Sequence, residues 1–332
     1  MRSDRVAPNR LATKGLAMGG TRPSIVVGVD GSASASKAAR WAGAVAGRLG
    51  ASLHLVHVMR SVDEALLEIA TSRQADAGAY PREVSQAVLD RVAQAVRADT
   101  PGLAISRTLS RRPLEEVLTE RSRDAWMIVL ACADVSPSEA FLVGSTTLSI
   151  AAHSACPVVA WRGAAVSPNR QAIVVGVDDD QHSRAALETA FRLADLLHVE
   201  LRAVHAISAQ RPHGKPDIPG TIDWLALEGE ARRQLMDIAA PVADRWPEVD
   251  VTYLVDGGRP SRLILNSAAD AQLIVVGPRG RGNVASALLG STSLSLLHHS
   301  PGPVVLCPAS ATLAESPLGG EQYGNGADVE AR

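Results

Sequence analysis

The residues best equipped for chemistry are Gly277-Pro278-Arg279-Gly280-Arg281-Gly282 and, with nine residues between Gly280 and Gly290, the run Gly290-Ser291-Thr292-Ser293. Closely spaced glycines let a backbone adopt positive φ and come near a ligand. The hydroxyl cluster after Gly290 stands where a helix should begin, so unpaired N–H groups and hydroxyls there can hold phosphate oxygens. Arg279 and Arg281 lie within the loop and answer negative charge. The apolar run Leu273-Ile274-Val275-Val276 just before the loop reads as a buried strand. Strand, glycine loop and hydroxyl-led helix together outline a nucleotide site.

Other nucleotide chemistries leave no trace. There is no G-x4-G-K-(S/T) loop, and the G-x2-G-x-G spacing at Gly277 reverses the order of a dinucleotide fingerprint. Neither a Ser-Gly-Gly-x-Asp-Ser loop nor a His-x-Gly-His motif occurs, and no Ser/His/Asp set stands out by spacing. Phosphoryl transfer needs a placed lysine, metal ligands and a group that orients the nucleophile. The expected role is therefore nucleotide binding with little or no catalysis, with a nucleotide-independent scaffold and a slow ATPase as the alternatives.

The elements that must position this site occur twice. Ile25-Val26-Val27-Gly28-Val29-Asp30 returns as Ile173-Val174-Val175-Gly176-Val177-Asp178, and Leu55-Val56-His57-Val58 as Ala203-Val204-His205-Ala206. Gly144-Ser145-Thr146 returns as Gly290-Ser291-Thr292, and the run from His153 to Val159 as that from His299 to Val305. The copies stand 146 to 148 positions apart, as from Gly144 to Gly290 and from Ile25 to Ile173. A period of that length is a duplicated domain.

Each copy alternates short β-branched runs with longer amphipathic Ala/Leu/Arg-rich segments. In the first copy strands are expected near 25–29, 51–58, 103–109, 126–131 and 157–161, and helices near 34–49, 81–98, 113–123 and 144–154. Such alternation predicts an α/β fold with a parallel sheet covered on both faces. The strands are continuously apolar, as burial on both sides requires. If the first and fourth strands flank a topological switch point, Asp178 and the Gly277 loop face one crevice at the carboxyl edge.

Composition agrees. The 332 residues suffice for two domains, and 46% hydrophobic content with only 3% aromatics means cores built from Ala, Val and Leu. A net charge of −2 gives no electrostatic pull toward nucleic acid. No apolar run reaches the ~18 residues of a membrane helix. The first 23 residues carry Arg and Lys without an apolar h-region, so a secretory leader is not expected. Cys132, Cys156 and Cys307 cannot all pair within one chain and have no zinc spacing, so they read as small buried groups in a cytoplasmic protein. His57 and His205 read as strand residues with a satisfied hydrogen bond. His153, His298 and His299 suit the last turn of a helix.

On these residues the chain resembles the tandem, two-domain universal stress proteins (the UspA family) over nearly all of residues 24–308. The family's G-x2-G-x9-G-(S/T) pattern is matched by Gly277, Gly280, Gly290 and Ser291. The resemblance implies two Rossmann-like domains of the adenine nucleotide α-hydrolase type, each a five-stranded parallel sheet of order 3-2-1-4-5. It divides the chain into a tail (1–23), a first domain (24–161), a linker (162–171), a second domain (172–308) and a final tail (309–332), both tails expected to be mobile. It further implies ATP as the ligand, with Asp178 near the ribose, the backbone at Val204 at the adenine edge, and residues 277–282 and 290–293 on the phosphates. The weaker equivalents in the first copy are Asp30, Val56, Gly144 and Ser145. The two domains are expected to pair through their last strands, Pro157–Trp161 and Pro303–Cys307; association of two chains into a homodimer stays open.

Both copies depart from the family pattern. The first has Ala131-x2-Asp134-x9-Gly144-Ser145. A carboxylate at Asp134 stands where phosphate should lie, and two unit charges ~4 Å apart repel by about 4 kcal/mol at an intermediate dielectric. The first copy is therefore expected to keep the fold and lose the phosphate end. In the second, Asp30-Gly31-Ser32 has become Asp178-Asp179-Asp180, acids that either repel a triphosphate or recruit Mg²⁺ to it. An N-cap role is the competing reading for Asp30 and Asp178.

Overall fold

The computed structural model describes residues 23–59, 81–132, 145–178, 183–207, 223–277 and 290–308. The first copy supplies strands β1 (Ser24–Gly28), β2 (Ser52–Val58), β3 (Ile105–Ser110), β4 (Ala125–Ala131) and β5 (Val158–Trp161). The second supplies β6 (Ile173–Gly176), β7 (Leu201–Ile207), β8 (Val251–Gly257), β9 (Leu273–Val276) and β10 (Val304–Leu306). The helices are α1 (Ala33–Leu49), α2 (Pro81–Asp99), α3 (Leu114–Arg121) and α4 (Ser145–His153), then α5 (Ser183–Leu197), α6 (Trp224–Ala243), α7 (Pro260–Ser267) and α8 (Ser291–His299). Element ends fall within about two residues of the sequence expectation, the usual raggedness of termini.

All ten strands join one sheet in the order β3-β2-β1-β4-β5-β10-β9-β6-β7-β8. Within each copy the order is 3-2-1-4-5, every pair parallel. The copies meet where β10 runs antiparallel to β5, with Val304 opposite Ala160, Val305 opposite Val159 and Leu306 opposite Val158. Residues 162–171 carry no helix or strand, and they are tied to the second copy where Gln272 Oε1 accepts from Asn169 N–H at 3.1 Å.

Two cores lie on the two faces of this sheet. One packs α1, α2, α5 and α6 over Ile25, Leu53, Met127, Ile173 and Leu201, with Phe191 and Trp161 fully buried. The other packs α3, α4, α7 and α8 over Val26, Ile128, Val174 and Ile274. The first core is continuous across the copies, and there the Arg192 guanidinium of α5 lies 5.1 Å from the ring centroid of Trp126 in β4.

Local signals explain where the helices begin and end. Ser32 caps α1, accepting from Ala35 N–H at 3.0 Å, and Gly50 ends it in the left-handed region at φ 66°. Asp223 caps α6, accepting from Ala226 N–H at 3.0 Å. His153 and His299 donate from Nδ1 to the carbonyls of Ser149 and Ser295, each at 2.8 Å, in the last turns of α4 and α8.

The three cysteines are free and buried. Burial pushes the Cys156 thiol up to about 11 and Cys307 up to about 12, so both stay protonated near neutrality and are poor nucleophiles. A folded-state value raised this way stabilises the fold below the ordinary thiol range, and that contribution disappears as pH climbs toward the folded values. At about pH 8, none of the three thiols should react with a disulfide reagent on the timescale at which the denatured chain labels completely. Rapid native labelling of Cys156 or Cys307 would contradict this packing.

Candidate functional site

The site follows from where β6 stops. β6 lies between β9 and β7. The chain leaves β6 for α5 on one face and β9 for α8 on the other, which opens a crevice at the carboxyl edge. A cleft of about 330 Å³ occupies this position. Its floor is Gly176 and Val177 at the end of β6. Glycine suits this close approach, because a Cβ on Gly176 would lie 2.7 Å from Ile264 Cδ1 and force that side chain to shift. Pro260 and Ile264 of α7 and Val276 of β9 give one apolar side, and Val204, His205 and Ala206 of β7 line the cleft from the other neighbouring strand.

The opposite rim is the start of α8. Gly290 has extended backbone (φ −62°, ψ 158°) and no side chain with which to cap the helix. The first intrahelical bond runs from Leu294 N–H to the Gly290 carbonyl at 3.0 Å. The N–H groups of Ser291, Thr292 and Ser293 precede that bond, and all three residues line the cleft with Gly290 and Gly277. A helix N-terminus of this kind carries partial positive charge and suits an anion.

Among the described lining residues Asp178 is the one carboxylate and His205 the one imidazole. Ser183, at the start of α5, grips the Asp178 main chain from both sides. Its Oγ accepts from Asp178 N–H at 2.8 Å and donates to the Asp178 carbonyl at 3.1 Å. In the first copy the Asp30 carboxylate instead accepts from Ser32 N–H at 2.8 Å, closing a turn in front of α1. His205 is buried, and because a carbonyl only accepts, its Nδ1 carries the proton donated to Val177 O at 3.0 Å. His57 makes the matching bond to Val29 O at 2.6 Å.

Of the residues named from sequence, Asp178, Val204, Gly277, Gly290, Ser291, Thr292 and Ser293 come together in this one cleft. Pro278, Arg279, Gly280, Arg281, Gly282, Asp179 and Asp180 lie outside the described residues, as do Gly144 and Asp134 of the first copy; Ser145 heads α4, its side chain likewise undescribed. Val56 pairs with Gly28, as Val204 does with Gly176. The Val204 carbonyl accepts from Val177 N–H at 2.9 Å, so it is committed to the ladder. Sequence reasoning missed Ser183, Ala206, Pro260 and Ile264. A usable signal for the last two was Gly258-Arg259-Pro260, a turn followed by proline at a helix start.

The first copy differs at the cleft walls. The counterparts of Pro260, Ile264, Val276 and Gly277 are Leu114, Leu118, Leu130 and Ala131. A Cβ on Gly28 would meet Leu130 Cδ2 at 2.6 Å, with Leu114 Cδ2 and Leu118 Cδ1 each at 3.5 Å. Gly176 is packed as closely, its Cβ falling 3.2 Å from Val276 Cγ1 as well, so the two copies differ at these walls in residue type, with bulkier leucines in the first.

The universal stress protein family model matches the chain twice, over residues 22–162 and 169–308. The chain belongs to the universal stress protein family. It is of the tandem, two-domain type. Universal stress protein Rv2005c of Mycobacterium tuberculosis is 32% identical over 300 residues, covering 86% of this chain and 97% of that protein. Universal stress protein Rv2623 of the same organism is 29% identical over 305 residues, covering 90% of this chain and 100% of that protein. A universal stress protein from Archaeoglobus fulgidus, 20% identical, shares the fold with a TM-score of 0.61 over 86% of this chain and 96% of its own.

If the open wall makes the site, closing it should abolish binding. Val276→Leu installs the side chain that covers Gly28 in the first copy. It is expected to cost under about 1.5 kcal/mol of stability and to weaken binding of ATP, the ligand expected from the sequence, by about tenfold or more. Calorimetric titration alongside thermal unfolding checks both, and unchanged affinity would show that the cleft does not hold the ligand.

Proposed function

We propose that the second domain binds an adenine nucleotide, ATP in the first instance, and that the chain acts as a nucleotide-responsive regulatory module in stress or growth adaptation. The observation that carries this reading is the uncapped N-terminus of α8 opening into an apolar cleft beside Asp178. The amides of Ser291, Thr292 and Ser293 suit phosphate oxygens. Asp178, fixed through Ser183, suits the hydroxyls of a ribose. Pro260 and Ile264 supply apolar surface for the sugar and base.

The base has a backbone partner. In the β6–β7–β8 ladder, Glu200 and Val204 accept from β6-side donors, whereas Leu201 donates to, and Ile207 accepts from, the β8 side. Even-numbered positions therefore face β6, and Ala206 falls past its last residue, Gly176. An N–H and a C=O side by side match adenine, which offers a ring-nitrogen acceptor and an amino donor on one edge.

Catalysis has little support. Among the described lining residues no lysine is present, and the His205 Nδ1 proton is held by Val177. With one carboxylate among the described lining residues, Mg²⁺ would be held largely by the phosphates of the nucleotide, as is usual for that ion. Bound ATP acts by its differential affinity for two conformations or assemblies. The antiparallel β5–β10 pairing supports reading the chain as an internal pseudo-dimer.

Ser291→Glu tests the anion site with stability as the internal control. Ser291 is exposed, and an acid in the first turn of a helix is mildly stabilising, so the unfolding midpoint should hold or rise. ATP affinity should fall by about tenfold or more. Failure of the wild-type protein to bind ATP saturably would favour the nucleotide-independent scaffold, and turnover well above background would favour a slow ATPase.

A further inference from the structure

We propose that His205 is a positioning residue that selects the base, by holding the Val177 carbonyl away from Ala206 and so keeping the Ala206 N–H open to a ligand. The inference rests on the adenine reading of this cleft and concerns how that site recognises its base. In a parallel ladder, a residue facing a neighbour donates its N–H one position before its partner and accepts one position after it. Gly176 is the partner of Val204, and Val204 O accepts from Val177 N–H at 2.9 Å. The next rung on that side would run from Ala206 N–H to Val177 O. The structure places the His205 Nδ1–H on that oxygen instead, at 3.0 Å. One imidazole thus ends the β6–β7 ladder a rung early, with the Ala206 edge lining the cleft.

The first copy carries the same device. Val29 N–H donates to Val56 O at 2.8 Å and His57 Nδ1 to Val29 O at 2.6 Å. There Ala131 and Asp134 stand where the second copy has Gly277 and Gly280, so the clamp recurs without the glycine pattern. That separation makes His57 a control: it performs the same backbone task in the copy not expected to hold the phosphates.

The experiment compares ATP, GTP and inorganic tripolyphosphate by equilibrium binding to the full chain. In the wild type ATP should bind more tightly than GTP, because guanine offers a donor and a carbonyl acceptor in the reverse arrangement. In His205→Leu the Val177 carbonyl is released, Ala206 N–H completes the rung, and ATP affinity should fall about tenfold or more. Tripolyphosphate, which has no base, should bind within about twofold of wild type, so the ATP-over-GTP preference collapses while anion binding survives. His205→Asn keeps a side-chain N–H donor and should retain the preference; His57→Leu should leave it unchanged. Ala206→Pro deletes the N–H itself, should lose the preference as His205→Leu does, and decides the matter if the leucine variant does not fold. An undiminished ATP-over-GTP preference in His205→Leu or in Ala206→Pro overturns the proposal. Absence of saturable ATP binding by the wild type is a different outcome: it overturns the adenine reading, and this proposal with it.

Discussion

The bond from Val177 N–H to the Val204 carbonyl, at 2.9 Å, is the last backbone rung between β6 and β7, and the site depends on the ladder ending there. β7 continues to Ile207 alongside β8, while β6 ends at Gly176. The ended strand leaves a gap whose floor is main chain and whose two sides are supplied by α7 and β9 and by the end of β7. Gly176 keeps that floor low, since any side chain there would run into Ile264. The polar recognition groups on offer are mostly backbone amides held by a sheet and a helix. Donors fixed before a ligand arrives lose little freedom on binding, which is how a small cleft can still be selective.

Duplication gave both halves this ladder, but the residues at the walls of the gap differ between them. The last rung and the histidine clamp are present in each, at 2.8 and 2.6 Å in the first half and 2.9 and 3.0 Å in the second. The divergence lies in side-chain volume. Leucine in place of valine at position 130, compared with 276, adds a buried methylene, about 0.8 kcal/mol of favourable transfer free energy. Filling a disused crevice therefore stabilises a domain, whereas an open cleft must be held against that gain.

The repeat and the α/β class were legible because each rests on local regularity, whereas the strand order entered only through the family resemblance. Apolar β-branched runs recur at fixed offsets, and the hydroxyls after Gly290 mark a helix start. Seven residues named from sequence therefore meet in one cleft. What was not legible depends on three-dimensional register. That the backbone at Val204 is committed while Ala206 faces the gap follows from which strand ends first, and single sequences place strand ends poorly. Pro260 and Ile264 belong to a helix whose approach to the sheet is decided by the absence of a side chain at Gly176, a contact 88 positions away in the chain. Asp30 and Asp178 look equivalent in sequence. The hydroxyl of Ser183 that grips the Asp178 main chain has no counterpart beside Asp30, because Ala35 stands at that position of the first copy.

The same elements connect the cleft to the other half. Ser183 grips Asp178 at one end of α5, and farther along that helix Arg192 lies over Trp126 of the first domain, 5.1 Å from its ring centroid. On the sheet side, β9 pairs with β10 and β10 with β5, so the strand that carries Val276 is two ladders from the first domain. Close-packed interiors transmit strain, and the helix held to Asp178 through Ser183 is the one that carries the Arg192 contact. Contiguity alone does not make a switch; it needs two arrangements of comparable free energy that the ligand distinguishes. The antiparallel β5–β10 junction and the β9–β10 ladder beside it have three paired residues each, the fewest in the sheet, so the route from the cleft to the first domain runs through its two shortest ladders.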